Sequence, residues 1–434
     1  MAYSNDTRTL EPGDIYVAIR GETHDGHRFI PQAIEKGATG IISEEHVDVS
    51  ENVTVIQVEN SVTYLIDEAR KKLRHHNPDV VAITGSVGKT STRSAIQAVL
   101  SQEFDVVASE GNRNTPLGIS LTLLNAAFDR STKLVLEMGA RLKGDIKELC
   151  SYFPPTVAVV TNVKSVHVET FGSIEGVQHE KSELVKALGS DGTACLNGDD
   201  PQTRAMADLH NGKTLLFGTT EDCHIRPEYI TAKLPILGDH AIYTALAACS
   251  AGRALGMSFE SINHGLEHIK PEKGRLAKLR GRSESVLIDD TYNASPEATR
   301  SAIRVAATYP GTRRVAFLGD MLELGENEID EHVDVLAFAL NTLDAVYAVG
   351  PIMAAASERL SAVQKENLYL FPTSAELAEA IRNGTEFTPD SGDVILVKGS
   401  QGRRMERVSE VLLHPALNPA DVLPRQSESW KQIA

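Results

Sequence analysis

The chain has few cysteines, fewer basic than acidic residues and no long apolar run. Its 4 cysteines are spread over 434 residues and form no C-x-x-C pair, which argues against a disulfide framework or a zinc site. The 43 basic residues are outnumbered by 59 acidic ones, for a net charge of −16. This excess of negative charge argues against a nucleic-acid-binding surface, and we expect no nucleic-acid partner.

No segment reaches the length of about 18 consecutive apolar residues that a membrane helix needs. The first residues, 1–6, lack the charged-then-apolar profile of a signal peptide. These features predict a cytoplasmic protein with no membrane partner, and a reducing compartment agrees with the scattered cysteines. The length and the hydrophobic content of 41% suit about two to three globular domains.

One glycine-rich segment carries the most information about function. The apolar run 80–83 precedes it, and a helical pattern over 92–102 follows it. A strand, a glycine-rich loop and a helix in this order aim backbone N–H groups and the positive helix end at one point, which suits a phosphate. Lys89 would reach the terminal phosphates of a nucleotide, and the Thr90 hydroxyl would contact Mg²⁺. The predicted phosphate-binding residues are Thr84, Gly85, Ser86, Val87, Gly88, Lys89, Thr90 and Ser91.

The segment departs from the general P-loop pattern at one position. The general pattern has a glycine five residues before the glycine of Gly88-Lys89, and this chain has Ile83 there. The result is a shorter loop that a minority of ATP-dependent enzymes use. A chance match in an ordinary loop is the alternative, and the strand and helix on either side favour a phosphate site.

Strand and helix patterns divide the chain into three blocks: 1–78, 79–271 and 272–434. In the second and third blocks apolar runs alternate with helical runs, which predicts an α/β fold with largely parallel sheets. The third block is consistent with a Rossmann-like domain. Its tail, 417–434, is rich in turn residues, and we expect it to be peripheral.

The expected strands are 14–19, 39–43, 53–58, 80–83, 106–108, 134–138, 157–163, 192–196, 214–217, 285–289, 314–318, 345–349, 368–371 and 394–397. The expected helices are 29–36, 62–74, 92–102, 239–255, 298–307, 331–343 and 375–383. Residues 75–78 are interpreted as a linker because proline disfavours helix in the residue before it.

Three polar residues of the second block are candidates for the nucleotide edge. Glu137 ends an apolar strand, where a carboxylate suits an Mg²⁺ ligand, although a surface glutamate just past the strand is the alternative. His167 follows another apolar strand and could point to the same edge or be an ordinary histidine. Lys181 belongs to a charge run on a helix, and its spacing alone indicates a solvated lysine.

The remaining polar clusters also follow strands. Asp289 and Asp290 end a strand of the third block, where adjacent carboxylates suit a ribose hydroxyl or a metal. The segments 319–325 and 397–402 end two further strands of that block. The segment 110–118, with Asn112, follows a strand of the second block and could be a plain turn. Because ligands of open α/β sheets bind at the carboxyl ends of strands, both blocks place polar residues where a ligand would lie.

Taken together, the motifs resemble those of the Mur ligases, the ATP-dependent amino-acid-adding enzymes of peptidoglycan synthesis, over almost the full length. Within that family the chain is most similar to the branch that adds D-alanyl-D-alanine to a UDP-linked muramoyl tripeptide. The segment 12–38 resembles the domain that holds the UDP end of the substrate. The motifs that carry the resemblance are TGSVGKTS (84–91), GNRNTPLG (111–118), DDTYNASP (289–296), GDMLELGE (319–326) and VKGSQGRRME (397–406).

The resemblance implies a three-domain α/β fold: a small N-terminal UDP-substrate domain, a central P-loop domain and a C-terminal Rossmann-like ligase domain. It implies ATP and two Mg²⁺ ions as cofactors, with Lys181 carbamylated so that a cation becomes an anionic ligand. The implied metal ligands are Thr90, Glu137, His167 and Lys181. The implied catalytic residues are Lys89, Asn112, His167 and Lys181, with Asn112 beside the phosphates or the reacting carboxylate.

The resemblance also implies substrate contacts and partners. Arg275, Asp289 and Asn293 would serve the nucleotide and the interdomain cleft. Lys398 and Ser400 would contact the incoming dipeptide. Thr7 and Arg8 would contact the UDP-linked muramoyl peptide. These small molecules are the implied partners of a monomeric enzyme.

The sequence departs from the family pattern at three places. Ala241 and Thr244 stand where the family has asparagines, one of which reads adenine. The chain begins close to Asn5 without the usual preceding strand and turn, and the segment 223–234 is short. Two alternatives therefore stay open: a related ligase acting on another carboxylate, and a non-catalytic ATP-binding protein.

Overall fold

The computed structural model describes residues 1–21, 24–49, 52–109, 111, 113–164, 168–238, 240–427 and 430. They form two compact units. Unit 1 comprises Met1–Lys233 and Ile242–Ile269, and unit 2 comprises Leu234–Ala241 and Lys270–Ala434. The described residues contain three sheets, two in unit 1 and one in unit 2, and all are largely parallel. This arrangement confirms the predicted α/β class.

The first sheet lies in the N-terminal block. Its elements are β1 (Tyr3–Ser4), β2 (Ile15–Val17), α1 (Ile30–Glu35), β3 (Gly40–Ser43), β4 (Thr54–Gln57) and α2 (Ser61–His76). The four strands are parallel, in the order β1-β2-β3-β4. The expectation that no strand precedes Asn5 was wrong, because β1 pairs with β2. Helix α2 extends into the expected linker 75–78 as far as His76, and Asn77, whose φ of 47° is left-handed, caps its end.

The second sheet forms the centre of unit 1. Its elements are β5 (Asp79–Thr84), α3 (Lys89–Leu100), β6 (Val106–Ala108), α4 (Pro116–Asn125), β7 (Lys133–Glu137), α5 (Asp145–Tyr152), β8 (Val157–Val160), α6 (Val168–Phe171), α7 (Ile174–Lys186), β9 (Thr193–Asn197), α8 (Pro201–Arg204), β10 (Lys213–Phe217), α9 (His240–Ala254) and α10 (Phe259–Glu267). All six strands are parallel, in the order β10-β9-β8-β5-β7-β6. The loop after β5 therefore lies between the loops that follow β7 and β8.

Helices α2 and α4 join the first two sheets. Leu65 of α2 and Leu121 of α4 share one apolar cluster with Val17 and Ile42 of the first sheet. Burial of such side chains contributes roughly 1.5–3 kcal/mol each. The N-terminal and central blocks therefore form one unit although each has its own sheet.

The third sheet forms unit 2. Its elements are β11 (Ala277–Arg280), β12 (Val286–Asp290), α11 (Pro296–Thr308), β13 (Arg313–Gly319), α12 (Glu328–Thr342), β14 (Ala345–Val349), α13 (Pro351–Glu358), β15 (Leu368–Phe371), α14 (Ser374–Arg382), β16 (Asp393–Lys398), α15 (Glu406–Leu412) and α16 (Pro419–Val422). The strand order is β11-β12-β16-β13-β14-β15, and β11 alone runs antiparallel to its neighbour. Two apolar clusters cover the two faces of this sheet.

Each expected strand overlaps an observed one, while several short elements were not predicted. Helix α4 begins inside the segment 110–118, for which a plain turn was one alternative. The Thr115 hydroxyl accepts the Gly118 N–H at 3.3 Å, and Pro116 occupies the first helical turn. The expectation of a peripheral tail was also wrong, because Leu423 is only 1% exposed in the core of unit 2. Within the described residues, no helix is long and apolar enough to cross a membrane.

A lysine of α2 caps the end of α4 and yields a first prediction. Lys72 Nζ donates to the carbonyls of Leu123 at 2.9 Å and Ala126 at 2.5 Å. A cation there satisfies carbonyls that lack intrahelical donors. We expect Lys72→Met to lower the free energy of unfolding of unit 1 by about 1–2 kcal/mol. Hydrogen exchange of the α4 amides measures this loss as faster exchange.

The adjacent Lys71 supplies the matched control. Its side chain is 64% exposed and pairs with Glu68 on the same helix. Exposed ion pairs of this kind contribute little to stability, so Lys71→Met should leave α4 exchange unchanged. Equal effects of the two substitutions would contradict a capping role for Lys72.

Candidate functional site

The loop after β5 has a backbone conformation that favours glycine at two positions. Gly85 has a φ of 148°, and a Cβ at that position would lie 2.0 Å from Thr161 Oγ1. Gly88 has a φ of 83° and directly precedes Lys89, the first residue of α3. The loop therefore turns sharply into the helix, and the first turn of α3 presents its N–H groups to one point.

Residues that follow β8 hold this loop in place. Asn162 Oδ1 accepts the Val87 N–H at 3.0 Å, and Asn162 Nδ2 donates to the Val87 carbonyl at 2.9 Å. Thr161 Oγ1 donates to the same carbonyl at 2.8 Å. Ser86 Oγ accepts the Lys164 N–H at 2.9 Å. The loop is thus tied to the neighbouring strand end rather than free to rearrange.

The predicted phosphate-binding residues fall into two groups. Thr84 is fully buried, and its hydroxyl donates to the Met138 carbonyl at 2.9 Å, so its side chain supports the loop from beneath. Val87 stands at the tip and is 53% exposed. Lys89 Nζ donates to the Gly85 carbonyl at 2.7 Å, which places the ammonium over the loop. Ser91 lies in the first turn of α3, half-buried.

Glu137 is buried at the end of β7. Its burial excludes the alternative that it is a surface glutamate just past the strand. Its side chain is 3% exposed, and its two oxygens are bonded from different directions. Thr90 Oγ1 donates to Glu137 Oε2 at 3.0 Å, and Asn114 Nδ2 donates to Oε1 at 3.1 Å. A carboxylate and a hydroxyl in contact at the start of a helix form an oxygen donor set of the kind that Mg²⁺ prefers.

Lys181 is buried, contrary to the solvated lysine that its charge run indicated. The residue is 4% exposed on α7. Burial first, and the positive charge of Lys89 second, lower the pKa of Lys181 to about 8, although Glu180 and Asp145 act in the opposite direction. Within the charge run 180–183, Glu180 is buried together with Lys181, and Glu183 is half-buried.

Two predicted site residues, Asn112 and His167, lie outside the described residues. Their roles stay predictions.

The strand ends of the third sheet carry a buried ion pair. Lys398 Nζ, at the end of β16, donates to Asp290 Oδ2 at 2.6 Å and to the Asn293 carbonyl at 2.9 Å. Ser400 Oγ accepts the Leu322 N–H at 2.9 Å. Lys398 and Ser400 are each 2% exposed, so both are engaged with the polypeptide, and their contacts with a dipeptide stay a prediction.

Asp289 lies beneath this strand edge and is fully buried. Its Oδ1 accepts the Ser409 hydroxyl at 2.6 Å and the Thr291 hydroxyl at 3.0 Å, while Oδ2 has no hydrogen-bond partner among the described residues. Burial raises the pKa of Asp289 to about 7 against the effect of these two hydrogen bonds. The neighbouring Asp290 makes the ion pair, and a nucleotide contact by Asp289 stays a prediction.

The other predicted contacts are distributed over both units. In unit 2, the Arg275 guanidinium lies 4.2 Å from the centre of the Tyr292 ring, and Asn293 is exposed. In unit 1, Thr7 donates to Gln32 at 3.0 Å and is buried, whereas the exposed Arg8 makes a bidentate pair with Asp6. Their ligand contacts stay predictions.

Ala241 and Thr244, which replace asparagines of the family pattern, both lie on α9. Ala241 is 7% exposed and Thr244 is 4% exposed. Tyr243 between them donates from its hydroxyl to Asp199 Oδ2 at 2.9 Å, after β9.

One group of three metal-type side chains occurs among the described residues, in the N-terminal block: Asp25, His27 and Glu45. His27 Nε2 accepts the Glu44 N–H at 3.1 Å, and Nδ1 lies 2.7 Å from Asp25 Oδ1. Both ring nitrogens of His27 therefore already have hydrogen-bond partners within the protein. We interpret the group as a hydrogen-bonded turn rather than a metal site.

Several residues of the P-loop edge were not predicted. Asn114, Thr161 and Asn162 orient Glu137 and the loop, as described above. Glu180 is 2% exposed and accepts the N–H groups of Gly144 and Ile146 at 2.7 and 2.9 Å, at the start of α5. Asn114 lies within a quoted motif, and the others carry no local signal because each acts on a residue distant in sequence.

Three family models match the chain. The model described as the Mur ligase family, catalytic domain, matches residues 3–100. The Mur ligase middle domain matches residues 83–252, and the Mur ligase, glutamate ligase domain, matches residues 274–401. Together they span most of both units.

Individual relatives are similar over nearly the whole length. The chain is 32% identical over 436 residues to a UDP-N-acetylmuramoyl-tripeptide–D-alanyl-D-alanine ligase from Bacillus subtilis, with 96% of this chain and 93% of the relative covered. A solved structure of MurF from Acinetobacter baumannii has a TM-score of 0.85 at 28% identity, over 94% of this chain and 92% of that one. A MurF ligase from Thermotoga maritima in complex with ADP has a TM-score of 0.77 at 31% identity, over 94% and 96%.

Asp289 yields a prediction about the pH dependence of stability. The pKa of Asp289 is about 7 in the folded protein, against an ordinary value of 3.8, so the unfolded chain loses the proton first as the pH rises. Stability therefore falls as the pH rises from about 4 to about 7, and the loss is complete above 7. We expect Asp289→Asn to be more stable than the parent by roughly 1–3 kcal/mol at pH 8, with no gain at pH 4.

Urea unfolding followed by the fluorescence of Trp430 measures this effect, because Trp430 is the single tryptophan and lies over Arg404 in unit 2. Asp290→Asn is the matched control. It removes the partner of buried Lys398 and should destabilise unit 2 by about 3 kcal/mol at neutral pH. A gain for Asp289→Asn that does not change with pH would contradict the assignment.

Proposed function

The chain belongs to the Mur ligase family, and we propose that it joins D-alanyl-D-alanine to UDP-N-acetylmuramoyl-tripeptide, converting ATP to ADP and phosphate. The observation that carries this proposal is the arrangement at the P-loop edge, where Lys89, the Thr90–Glu137 pair and buried Lys181 accompany a phosphate-binding loop. Full-length similarity to ligases with this named activity supplies the choice of substrates.

The proposed reaction has two chemical stages. An oxygen of the tripeptide carboxylate attacks the γ-phosphorus of ATP, and the bond from that phosphorus to the β,γ-bridging oxygen breaks, which yields an acyl phosphate and ADP. The amine of the dipeptide then attacks the acyl carbon. The tetrahedral intermediate expels phosphate and loses a proton from nitrogen to leave the amide.

The protein contributes mainly position and charge. The N–H groups at the start of α3 and the Lys89 ammonium would neutralise the phosphate oxygens. Thr90 and Glu137, with the predicted ligands His167 and Lys181, would hold two Mg²⁺ ions, which supply charge neutralisation at the phosphates. Asn112 would orient the reacting carboxylate.

Lys181 would act as a carbamate. A pKa of about 8 leaves part of the amine neutral near physiological pH, and the neutral amine is the form that attacks CO₂. The nitrogen lone pair forms a bond to carbon, one C=O π pair moves to oxygen, and the nitrogen releases a proton. The product is an anionic oxygen ligand in place of a buried cation.

The proposal extends to the other predicted contacts. Unit 2 would meet the nucleotide and the dipeptide through Arg275, Asp289, Asn293, Lys398 and Ser400, and Thr7 and Arg8 would contact the UDP-linked peptide. The functional domains would be 1–78, 79–271 and 272–434. We place a monomer in the cytoplasm, in agreement with four free buried cysteines.

Phosphate release in the presence of ATP and UDP-N-acetylmuramoyl-tripeptide, with and without D-alanyl-D-alanine, tests the function. We expect sustained release only when both substrates are present. Release that requires a different carboxylate would support the related-ligase alternative. ATP binding without turnover on any acceptor would support the non-catalytic alternative.

Lys89→Ala should reduce ligation by on the order of 10²–10³-fold, because it removes the main positive side chain over the loop. Circular dichroism should be unchanged, since Lys89→Ala places a good helix former at the first position of α3 and leaves the glycines of the loop intact. Lys186→Ala on α7 is the control, because this lysine pairs with Glu183 away from the loop and should retain activity. Substantial ligation by Lys89→Ala would overturn the P-loop assignment.

Glu137→Gln removes the negative charge of this residue and keeps its size and one of its two hydrogen-bond acceptors. The amide oxygen can still accept from Thr90, but the negative charge that attracts a divalent cation is lost. We expect Mn²⁺ binding in the presence of ADP, measured by electron paramagnetic resonance, to weaken by about tenfold or more. Parental Mn²⁺ affinity in the folded variant would exclude Glu137 as a ligand.

A further inference from the structure

The C-terminal tail contacts the turn that follows β12. Arg425 in this tail is 6% exposed at its side chain. Its Nη1 donates to the Tyr292 carbonyl at 3.1 Å, and its Nη2 donates to the Thr291 carbonyl. Both carbonyls lie past the end of β12, where no sheet partner is available, so the guanidinium satisfies backbone groups that the fold leaves without donors.

A buried carboxylate orients this guanidinium. Glu406, at the start of α15, is 1% exposed and accepts from Arg425 Nη2 at 2.8 Å and from Arg404 Nε at 2.5 Å. Arg404 in turn donates to the Trp430 carbonyl at 2.6 Å. Burial alone would raise the pKa of Glu406, but the bonds from the two arginines outweigh it and lower the pKa. Glu406 is therefore a carboxylate whose two oxygens each hold one arginine.

The opposite side of the turn is held by the segment that opens unit 2. The Tyr292 N–H donates to the Gly274 carbonyl at 3.0 Å, and Arg275 covers the Tyr292 ring. Gly274 has a φ of 72°, and a Cβ there would lie 2.9 Å from the Tyr292 nitrogen and 3.0 Å from Pro424 Cγ. The turn is thus enclosed between residues 274–276 and the tail.

We propose that Arg425 is a positioning residue that fixes the turn 290–293 and, through it, the nucleotide contacts of Arg275 and Asn293. The inference rests on the proposed function for the nature of the ligand. Whatever the ligand is, the proposal also states that Arg425, which is 134 positions from Thr291 in sequence, sets the backbone conformation of this turn. Only a planar fork of donors can reach two carbonyls and a carboxylate together, so lysine cannot replace arginine here.

Binding of ADP with MgCl₂, measured by calorimetry on the full chain, tests the proposal without reference to the acceptor substrate. We expect Arg425→Ala to weaken ADP binding about tenfold or more, and Arg425→Lys to weaken it nearly as much although its charge is kept. In turnover with both substrates, the KM for ATP should rise while the KM for the tripeptide stays within about twofold.

Lys273→Ala is the matched control, because Lys273 Nζ donates to the Ala420 carbonyl at 2.7 Å and anchors the same tail without contacting the turn. ADP binding should be unchanged in this variant. If Arg425→Ala does not fold, the ADP affinity of Arg425→Lys tests the proposal instead. We also expect the Tyr292 amide to exchange its hydrogen faster in Arg425→Lys than in the parent.

The outcomes separate this proposal from the proposed function. Parental ADP affinity in folded Arg425→Lys and Arg425→Ala would overturn the role of Arg425. Equal weakening by Lys273→Ala would reduce that role to general support of the tail and would also overturn it. A parent chain that binds ADP but ligates no dipeptide would overturn the proposed function and leave the role of Arg425 standing.

Discussion

The hydrogen bond from Thr90 to Glu137 joins the P-loop helix to the central sheet. Glu137 ends a strand that is buried on both faces, and a carboxylate at such a position requires polar partners. Thr90 supplies one from α3, and Asn114 supplies another from the segment before α4. One buried charge therefore sets the relative positions of three chain segments, and the placement of Lys89 at the start of α3 follows from it.

The same physical rule organises unit 2 at its own sheet edge. Parallel strands end side by side, so polar residues that are far apart in sequence meet where the strands stop. Lys398 and Asp290 are 108 positions apart and form a buried ion pair there. Buried pairs of this kind add little net stability because each charge loses its hydration, but the loss of one partner leaves the other charge unpaired. Their main consequence is a defined geometry at the strand ends.

Much of the fold could be predicted from local patterns. Strand β14 was predicted with its observed bounds, and β5 within one residue, because both are apolar runs buried on both faces. The strands β1 and β11 were missed, since neither Tyr3–Ser4 nor Ala277–Arg280 contains a run of consecutive apolar residues. Glu137 was identified because a carboxylate at the end of an apolar strand is costly without a partner, and the structure supplies those partners.

The local sequence pattern by itself determined the order of strands and helices along the chain, the positions of the glycines in the loop after β5, and the types of polar residue at each strand end. These properties depend on neighbours in sequence, through backbone sterics and hydrophobic periodicity. Only the tertiary structure decided that Lys181 is buried beside Lys89 rather than solvated, and that the tail, through Arg425, holds a turn 134 positions away. Burial and long-range hydrogen bonds depend on how distant segments pack, and no local spacing encodes that packing.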